Sequence, residues 1–235
     1  MLYFIFVIFH TRLIEQKIPI GIKTGDALLL EKSAIILAGG FSRRFGQDKG
    51  LVRLANKPLI EYVLGAISEV VDEKILIVSS KTQAESYTKV LDSKVKVFVD
   101  ESNVQSPLVG ALKGFKEVRN EYALLLPCDT PLISKDILLL LLELCPYRNA
   151  VIPRWPNGYI EPLQAVYRTK PALEAAEKAL NEGSLNMQAM VDKLRGVRYV
   201  STLVLRQLDP KLESFFNVNT LVDLRRAEAL LKEKG

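Results

Sequence analysis

Residues 33–49 read SAIILAGGFSRRFGQDK, and this stretch decides the fold class. Its first five residues, SAIIL, suit a short buried strand, and a pair of glycines then interrupts the run. The remainder carries three cations, one acid and a further glycine, so it is too polar to be buried. The pattern predicts a core strand that ends in a glycine-rich basic loop.

Strand-like and helix-like segments alternate after this stretch. Predicted strands include KILIVSS, VKVFVD and YALLLPCD, and predicted helices include KPLIEYVLGAISEVV, SPLVGALKGFKEV and SKDILLLLLELC, the last with Ser134 as its N-cap. Strands that are apolar throughout and separated by helices indicate a mostly parallel sheet with helices on both faces. We therefore expect an α/β protein with three αβα layers.

The C-terminal part continues the pattern less regularly. The segments AVIP, EPLQAVY and VRYVSTLVL accompany a helix predicted at KPALEAAEKALNEG. A last short strand is predicted at FFNV and a helix at LVDLRRAEALLKE, where Thr220 and Asp223 have the spacing of a capping box. Because no linker or internal repeat stands out, one domain is expected from residue 33 to residue 235.

Composition narrows the classes of function. A chain of 235 residues that is 49% hydrophobic can bury the core of one large domain. The net charge of +5 suits an anionic ligand, but no Lys/Arg run is interleaved with aromatic residues, so nucleic acid is not an expected partner. With His10 as the single histidine, a Ser-His-Asp mechanism or a His-ligated metal is not expected. Cys128 and Cys145 form no CxxC motif, which is typical of a reduced cytoplasmic protein.

Residues 1–32 are expected to be an N-terminal extension without a function. The opening apolar run, MLYFIFVIFH, is shorter than the roughly 20 residues that span a bilayer. No basic segment precedes it and no small-residue cleavage site follows it, so a secretory signal is not expected either. We therefore expect no membrane partner, and a loose interfacial anchor is the alternative.

The basic loop has the residue types of a phosphate-binding loop. Gly39 and Gly40 allow the backbone to approach an anion closely, and Arg43, Arg44 and Lys49 could neutralise a triphosphate. The spacing matches neither the Walker motif nor the GxGxxG motif. A solvated basic turn is therefore the open alternative.

Two acids follow predicted strands. Asp129, in PCDTP, comes at the end of a buried strand, where a lone carboxylate suits Mg²⁺ together with substrate phosphates. The alternative is that Asp129 caps the turn into the next helix. Asp100 has the same two interpretations. Because ligands of such sheets bind beyond the carboxyl ends of the strands, these acids and the basic loop are expected at one edge.

Four further polar residues could touch a second substrate. Asn217 and Asn219 are two residues apart on a predicted strand, so their side chains are expected to point to one face. Glu161 and Gln164 belong to the segment EPLQAVY. Glu161 could equally be an exposed acid beside a turn at Pro162.

Five segments, taken in order, resemble the molybdenum cofactor guanylyltransferases. They are LAGGFSRRFGQDKGL, VD followed by SPLVGAL, PCDTP, EPLQAVY and FFNVNTLVDL, and the resemblance spans nearly all of residues 33–231. It implies a Rossmann-like fold of the nucleotide-diphospho-sugar-transferase type. It also implies Mg²⁺-dependent transfer of GMP from GTP to molybdenum-loaded molybdopterin, with release of pyrophosphate. Transient contact with other molybdenum-cofactor proteins in the cytoplasm is implied as well.

The resemblance also implies roles for individual residues, with Lys49 and Asp129 as the catalytic pair and Asp129 as the Mg²⁺ ligand. The residues implied at the nucleotide are Leu37, Ala38, Gly39, Gly40, Arg43, Arg44, Lys49, Ser80, Asp100 and Asp129. The residues implied on the acceptor side are Glu161, Gln164, Asn217 and Asn219.

Two positions depart from the family pattern. Ser106 stands where the family often has glycine, and Ser79 and Ser80 stand where it often has an asparagine that contacts the base. Base specificity for guanine rests on the resemblance alone. The alternatives are a related nucleotidyltransferase, either a molybdopterin cytidylyltransferase or a corrinoid-phosphate guanylyltransferase, and a nucleotide-binding regulator without catalysis.

Overall fold

The computed structural model describes residues 31–39, 41–42 and 45–234 of the chain. The predictions for Gly40, Arg43 and Arg44, and nearly all of the expected N-terminal extension, lie outside the described residues. None of the helices in the described ranges combines the length and apolarity needed to cross a membrane.

Strands and helices alternate along the described residues. The strands are β1 (Lys32–Leu37), β2 (Phe41–Ser42), β3 (Gln47–Asp48), β4 (Arg53–Leu54), β5 (Lys57–Pro58), β6 (Glu73–Val78), β7 (Val95–Val99), β8 (Tyr122–Pro127), β9 (Ala150–Arg154), β10 (Ala165–Arg168) and β11 (Val197–Ser201). The helices are α1 (Leu59–Ala66), α2 (Lys81–Thr88), α3 (Pro107–Glu117), α4 (Lys135–Glu143), α5 (Thr169–Asn181), α6 (Met187–Asp192), α7 (Thr202–Leu205) and α8 (Leu221–Lys234). Short 3₁₀ helices occur at Lys49–Leu51 and Glu213–Phe215.

Seven strands form the main sheet, in the order β11-β9-β10-β8-β1-β6-β7. All of its neighbours pair in parallel except at β10, which is antiparallel to both β8 and β9. The chain leaves β1 towards β6 on one side and later returns to β8 on the other. Leu37 lies opposite Ile77 and Pro127, so the carboxyl ends of these three strands are level. Such a reversal of strand order is where open α/β sheets bind ligands.

The core has two apolar layers, one on each face of the sheet. Ile36 of β1 belongs to the layer that contains α1 and α4, and its neighbour Ile35 belongs to the layer that contains α3 and α5. A Cβ added to Gly114 of α3 would lie 2.3 Å from Ile35 Cγ2, so this helix packs directly on the central strand. The predicted three αβα layers and mostly parallel sheet are confirmed.

The strand predicted at FFNV was wrong. The 3₁₀ helix Glu213–Phe215 takes up its first residue, and residues 216–219 are extended without a ladder partner among the described strands. The Val218 N–H instead donates to the backbone oxygen of Asp129, at 2.9 Å. This bond and the packing of Val218 in an apolar cluster with Val52 and Leu54 hold the segment beside the end of β8, so a buried apolar residue imitates strand alternation outside the sheet.

Ser201 caps helix α7, whereas Ser134 precedes helix α4 without a capping bond; the sequence predicted a cap at Ser134 only. The segment VRYVSTLVL changes from strand to helix at Ser201, whose hydroxyl accepts a hydrogen bond from the Leu203 N–H at 3.2 Å. Ser134 occupies the predicted N-cap of α4, but its side chain makes no capping hydrogen bond. Its backbone N–H donates to the Ser214 hydroxyl at 2.9 Å. The capping role of Thr220 at α8 is confirmed, since the Asp223 N–H donates to Thr220 Oγ1 at 3.1 Å, while the Asp223 carboxylate accepts from the Asn219 N–H at 3.0 Å.

Candidate active site

A cavity of about 350 Å³ lies at the carboxyl ends of β1, β6, β7 and β8. It is the location expected for a ligand of this fold, because the strand order reverses there. Five of the residues predicted at the nucleotide line this cavity together: Leu37, Gly39, Lys49, Asp100 and Asp129.

The basic loop returns to the sheet as a short hairpin. Its two strands, β2 and β3, pair in antiparallel fashion with Phe41 opposite Asp48. Gly46, in the turn between them, has φ of +64°, a conformation that favours glycine. The hairpin is followed at once by the 3₁₀ helix Lys49–Leu51. The loop therefore brings Lys49 back to the end of β1, which a solvated turn would not require.

The Lys49 side chain links the basic loop to two distant segments, the end of β8 and the segment before α8. Its ammonium group forms an ion pair with Asp129 Oδ2, after β8, and donates a hydrogen bond to Asn219 Oδ1 at 2.6 Å. The bond from Val218 to the Asp129 backbone keeps Asn219 within reach. The predicted pair of Lys49 and Asp129 is thus in direct contact, and the Asn219 amide oxygen is a second acceptor for the cation.

One carboxylate oxygen of Asp129 has no hydrogen-bond partner among the described residues. The residue is 8% exposed, and this oxygen, Oδ1, is buried. A buried carboxylate oxygen without a partner is unfavourable by about 1–3 kcal/mol. A divalent cation with oxygen ligands would satisfy it. The residues present therefore fit a Mg²⁺ ion bound through Asp129 and substrate phosphates.

Asp100 has the predicted turn role and lies in the cavity, and its role beside a metal stays a prediction. Its carboxylate accepts a hydrogen bond from the Ser102 N–H at 3.0 Å, as in an Asx turn, while the residue also lines the cavity. Its own N–H donates to the Val78 oxygen at 2.7 Å, which ties the turn after β7 to the end of β6. Asp100 therefore lies in the site on a turn that the backbone holds in place.

Close approach of the backbone is required at Gly39. A Cβ at this position would lie 2.5 Å from Ser79 Oγ, so a side chain would collide with the end of β6. Ala38, just before it, is buried and donates its N–H to the Ile77 oxygen at 2.9 Å. The first glycine of the loop is thus needed where the chain passes between β1 and β6.

The two departures from the family pattern are helix caps. Ser106 Oγ accepts a hydrogen bond from the Val109 N–H at 3.2 Å and caps α3. Ser80 Oγ accepts one from the Gln83 N–H at 3.2 Å and caps α2. Ser79 lines the cavity, whereas Ser80 lines an adjoining groove that also contains Ser79. The structure thus places Ser80, predicted at the nucleotide, one residue beyond the cavity wall.

The four residues predicted on the acceptor side separate into two groups. Asn219 contacts Lys49, whereas Asn217 donates to the Phe215 oxygen at 3.3 Å. Val218 between them is buried and both asparagines are exposed, so they share one side of the segment although it is not a strand.

Glu161 and Gln164 are bonded within the protein. Gln164 is 5% exposed and donates to the Ser214 oxygen at 2.9 Å. Glu161 Oε1 accepts a hydrogen bond from the Trp155 indole at 2.6 Å. Burial raises the pKa of Glu161, and the bond from Trp155 opposes that shift. Glu161 is therefore not the exposed acid that was the alternative, and its acceptor role stays a prediction.

Gln83 and Asp48 are site-adjacent residues that sequence reasoning missed. The Gln83 amide donates to Asp48 Oδ1 at 2.7 Å, and its oxygen accepts from the Ser79 N–H at 2.8 Å. The available signal was spacing, because Gln83 lies four residues before Tyr87 on α2 and shares its inward face. A glutamine on the buried side of a short helix needs a partner.

Both cysteines are free and buried. Burial raises the pKa of the Cys128 thiol, and the neighbouring Asp129 carboxylate raises it further despite Lys49. The thiol therefore stays protonated at neutral pH, which agrees with its prediction as a core residue and not a nucleophile.

Comparisons with known proteins agree with this geometry. The family model described as a MobA-like NTP transferase domain matches residues 34–197, which include all five cavity residues named above. A probable molybdenum cofactor guanylyltransferase of Methanosarcina mazei is 36% identical over 208 residues, 86% of this chain and 92% of that protein. The molybdenum cofactor guanylyltransferase of Desulfosudis oleivorans is 33% identical over 202 residues, 85% of this chain and 96% of that protein. The crystal structure of molybdopterin-guanine dinucleotide biosynthesis protein A from Archaeoglobus fulgidus superposes with a TM-score of 0.73 at 28% identity, covering 86% of this chain and 99% of that one.

Proposed function

Because the chain belongs to the molybdenum cofactor guanylyltransferase family, we propose that it transfers GMP from GTP to molybdenum-loaded molybdopterin. The products are the molybdopterin guanine dinucleotide cofactor and pyrophosphate. The observation that carries the proposal is the contact of Lys49 with Asp129 in a cavity at the reversal of strand order. A cation and a carboxylate with a free oxygen are the two groups that a nucleoside triphosphate with its metal requires.

The reaction joins two phosphates. An oxygen of the terminal phosphate of the pterin attacks the α-phosphorus of GTP, and a new P–O bond forms. The bond between the α-phosphorus and the oxygen that bridges to the β-phosphate breaks, and pyrophosphate leaves with that electron pair. Because the attacking oxygen is already anionic at neutral pH, the chain needs no general base. The protein contributes position and charge.

Charge is the main obstacle to this reaction. Two like unit charges 4 Å apart repel by about 4 kcal/mol at an effective dielectric constant near 20. Because each 1.36 kcal/mol changes a rate about tenfold, a few such pairs would stop the transfer. Lys49 supplies a cation at the cavity wall, and Asn219 accepts a hydrogen bond from its ammonium group. Lys49 is therefore assigned to the phosphates of GTP.

Asp129 is assigned as the ligand of Mg²⁺. Its buried Oδ1 has no hydrogen-bond partner among the described residues, and Asp100 lines the same cavity. When bound, Mg²⁺ supplies positive charge to the phosphate oxygens and to the leaving pyrophosphate. Asp129 would keep its bond to Lys49 through Oδ2, so the carboxylate can hold both cations.

The alternatives are less well supported. The two relatives described above are 36% and 33% identical and are named as guanylyltransferases, which favours guanine over cytosine. Retention of both Lys49 and Asp129 in one cavity argues against a regulator without catalysis. Two buried free thiols agree with a cytoplasmic location. Contact with other molybdenum-cofactor proteins stays a prediction.

Pyrophosphate release tests the proposal. The purified full chain is supplied with GTP, CTP or ATP, with Mg²⁺ or excess EDTA, and with molybdopterin or a corrinoid phosphate. We expect release with GTP and molybdopterin, and its loss in EDTA. Preference for CTP, or release with the corrinoid phosphate alone, would replace the proposal with a related transferase. Binding of GTP without release would indicate the regulator.

A further inference from the structure

Helix α2 (Lys81–Thr88) contacts the residues on both sides of Lys49. Gln83 and Tyr87 lie one helical turn apart and are 7% and 0% exposed, respectively. Gln83 bonds to Asp48, the residue before Lys49, and Tyr87 lies against Gly50, the residue after it. One short helix thus holds the backbone from which the Lys49 side chain projects.

Gln83 connects two edges of the cavity. Its amide nitrogen donates to Asp48 Oδ1 at 2.7 Å, and its amide oxygen accepts from the Ser79 N–H at 2.8 Å. Asp48 ends the hairpin of the basic loop, and Ser79 follows β6. Because Gln83 is almost fully buried, water cannot replace these bonds without rearrangement. The glutamine therefore sets the position of the loop relative to the sheet.

Tyr87 packs beside Gly50, the residue that follows Lys49. A Cβ added to Gly50 would lie 2.5 Å from the Tyr87 hydroxyl and 3.3 Å from Cys128 Cβ. Gly50 therefore lies between α2 and the residue that follows β8, where an added side chain would displace its neighbours. Cys128 directly precedes Asp129, so this packing fixes Lys49 and Asp129 relative to each other.

We propose that Gln83, with Tyr87 behind it, is a positioning residue that holds Lys49 at the phosphates of the nucleotide. The proposal rests on the proposed function, because it assigns a support to the cation that binds GTP. Among the described residues that line the cavity of about 350 Å³, neither Gln83 nor Tyr87 is present. Gln83 lines the adjoining groove instead, and in this proposal it acts through Asp48 and the backbone of Lys49.

The proposal is tested by comparing the effect of Gln83→Leu on GTP affinity in the parent chain and in the Lys49→Ala variant. The dissociation constant of GTP with Mg²⁺ is measured by titration calorimetry for the parent chain, Gln83→Leu, Lys49→Ala and the double variant, together with each melting temperature. Loss of the support behind a ligand-binding group weakens binding roughly tenfold or more, and we expect about tenfold for Gln83→Leu. In the Lys49→Ala background the same change should add less than about twofold, because the residue through which Gln83 acts is gone.

The chain offers matched controls. Gln188→Leu removes a bond of the same type, 2.7 Å from the Gln188 amide to Asp192 on α6, and should leave GTP affinity unchanged. Asp48→Leu breaks the Gln83 bond from the loop side and should match Gln83→Leu, which keeps the test decisive even where one variant folds poorly. Asp48→Asn retains an acceptor oxygen for Gln83 and should stay near the parent affinity.

Two results would overturn the positioning role. One is a Gln83→Leu variant that binds GTP as tightly as the parent. The other is an equal loss of affinity in both backgrounds, which would indicate general loosening of the fold and not an effect through Lys49. A parent chain that fails to bind GTP at all would instead contradict the proposed function, so the two failures are distinguishable.

Discussion

The carboxyl-end cavity and the region around β10 both carry polar side chains that the sequence singles out, but the two regions use them differently. In the cavity, Asp129 Oδ1 is buried without a hydrogen-bond partner among the described residues. Around β10, the Gln164 amide bonds to the Ser214 oxygen, and Glu161 accepts from Trp155. Polar groups of the first kind are available to a substrate, whereas those of the second kind hold the chain together. Unused bonding capacity alone does not mark the site, since Thr202 Oγ1 of α7 is also buried without a partner among the described residues; the cavity is distinguished because its unpartnered carboxylate oxygen lies beside a cation, Lys49.

The largest effect is expected at Asp129. Asp129→Asn should lower the rate of pyrophosphate release about a hundredfold or more, equivalent to roughly 2.7 kcal/mol, because the variant loses a charge that binds metal. The rate at saturating GTP and molybdopterin checks this, with circular dichroism as the test of folding. Asp92→Asn, in an exposed turn, is the control and should leave the rate unchanged. A folded Asp129→Asn variant with near-normal turnover would remove Asp129 from the mechanism.

The next effect is expected at Lys49. Lys49→Ala should weaken GTP binding about thirtyfold, since a lysine that neutralises phosphate is lost, with a smaller change in stability. Titration of GTP and thermal unfolding on the same samples separate the two quantities. Lys193→Ala is a matched control, because Lys193 is also ion-paired and its side chain is 19% exposed against 22% for Lys49. Equal GTP affinities of Lys49→Ala and the parent would show that the loop does not bind phosphate.

Gln164 tests the other region. Gln164→Leu should lower the free energy of unfolding by about 1.5 kcal/mol, because the Ser214 carbonyl loses a buried donor. Turnover per folded molecule should stay within about twofold of the parent. Urea denaturation measures the first quantity and the pyrophosphate assay the second, with exposed Gln207→Leu as the control. The acceptor role of Gln164 stays a prediction, and a stable variant with strongly raised KM for molybdopterin would support it.

The smallest effect concerns Glu161 and depends on pH. Burial raises the pKa of Glu161 above its ordinary value of 4.5, so the fold disfavours the ionised carboxylate. Stability therefore decreases as pH rises from 4.5 through the raised pKa. Glu161→Gln keeps an acceptor for Trp155 and should stabilise the protein by a few tenths of a kcal/mol at pH 7, with no gain below pH 4.5. Melting temperatures at both pH values check the sign, and a gain confined to low pH would refute it.

The layers of the fold could be predicted because buried strands and amphipathic helices have distinct patterns. Runs such as YALLLPCD and SKDILLLLLELC need apolar surroundings, and their alternation leaves few topologies. The direction of β10 could not be predicted, since AVYR is as apolar as the parallel strands beside it. The segment FFNV was misassigned because burial of Val218 imitates strand alternation while its backbone bonds to Asp129 alone.

The site residues also include some whose roles could be predicted from sequence and some whose roles could not. Lys49 and Asp129 could be predicted because each belongs to a segment, LAGGFSRRFGQDKGL or PCDTP, that resembles the family, whereas residue type and spacing alone left a basic turn and a turn cap open. The roles of Gln83 and Gln164 could not, because an amide reveals its purpose only when its partner is known. Their partners are Asp48, 35 residues earlier, and Ser214, 50 residues later. Such contacts depend on the completed sheet and leave no local pattern.

The assignment of Lys49 to phosphate and of Asp129 to Mg²⁺ is tested most directly by a crystal structure. The chain is crystallised with Mg²⁺ and a GTP analogue that cannot be cleaved between the α- and β-phosphorus atoms. We predict that the phosphates lie in the cavity at the ends of β1 and β8, with the Lys49 ammonium group bonded to them and the metal on Asp129 Oδ1. The sugar and base should extend past Gly39 and Ser79. An analogue bound elsewhere, or bound here with Lys49 and Asp129 touching neither phosphate nor metal, would contradict it.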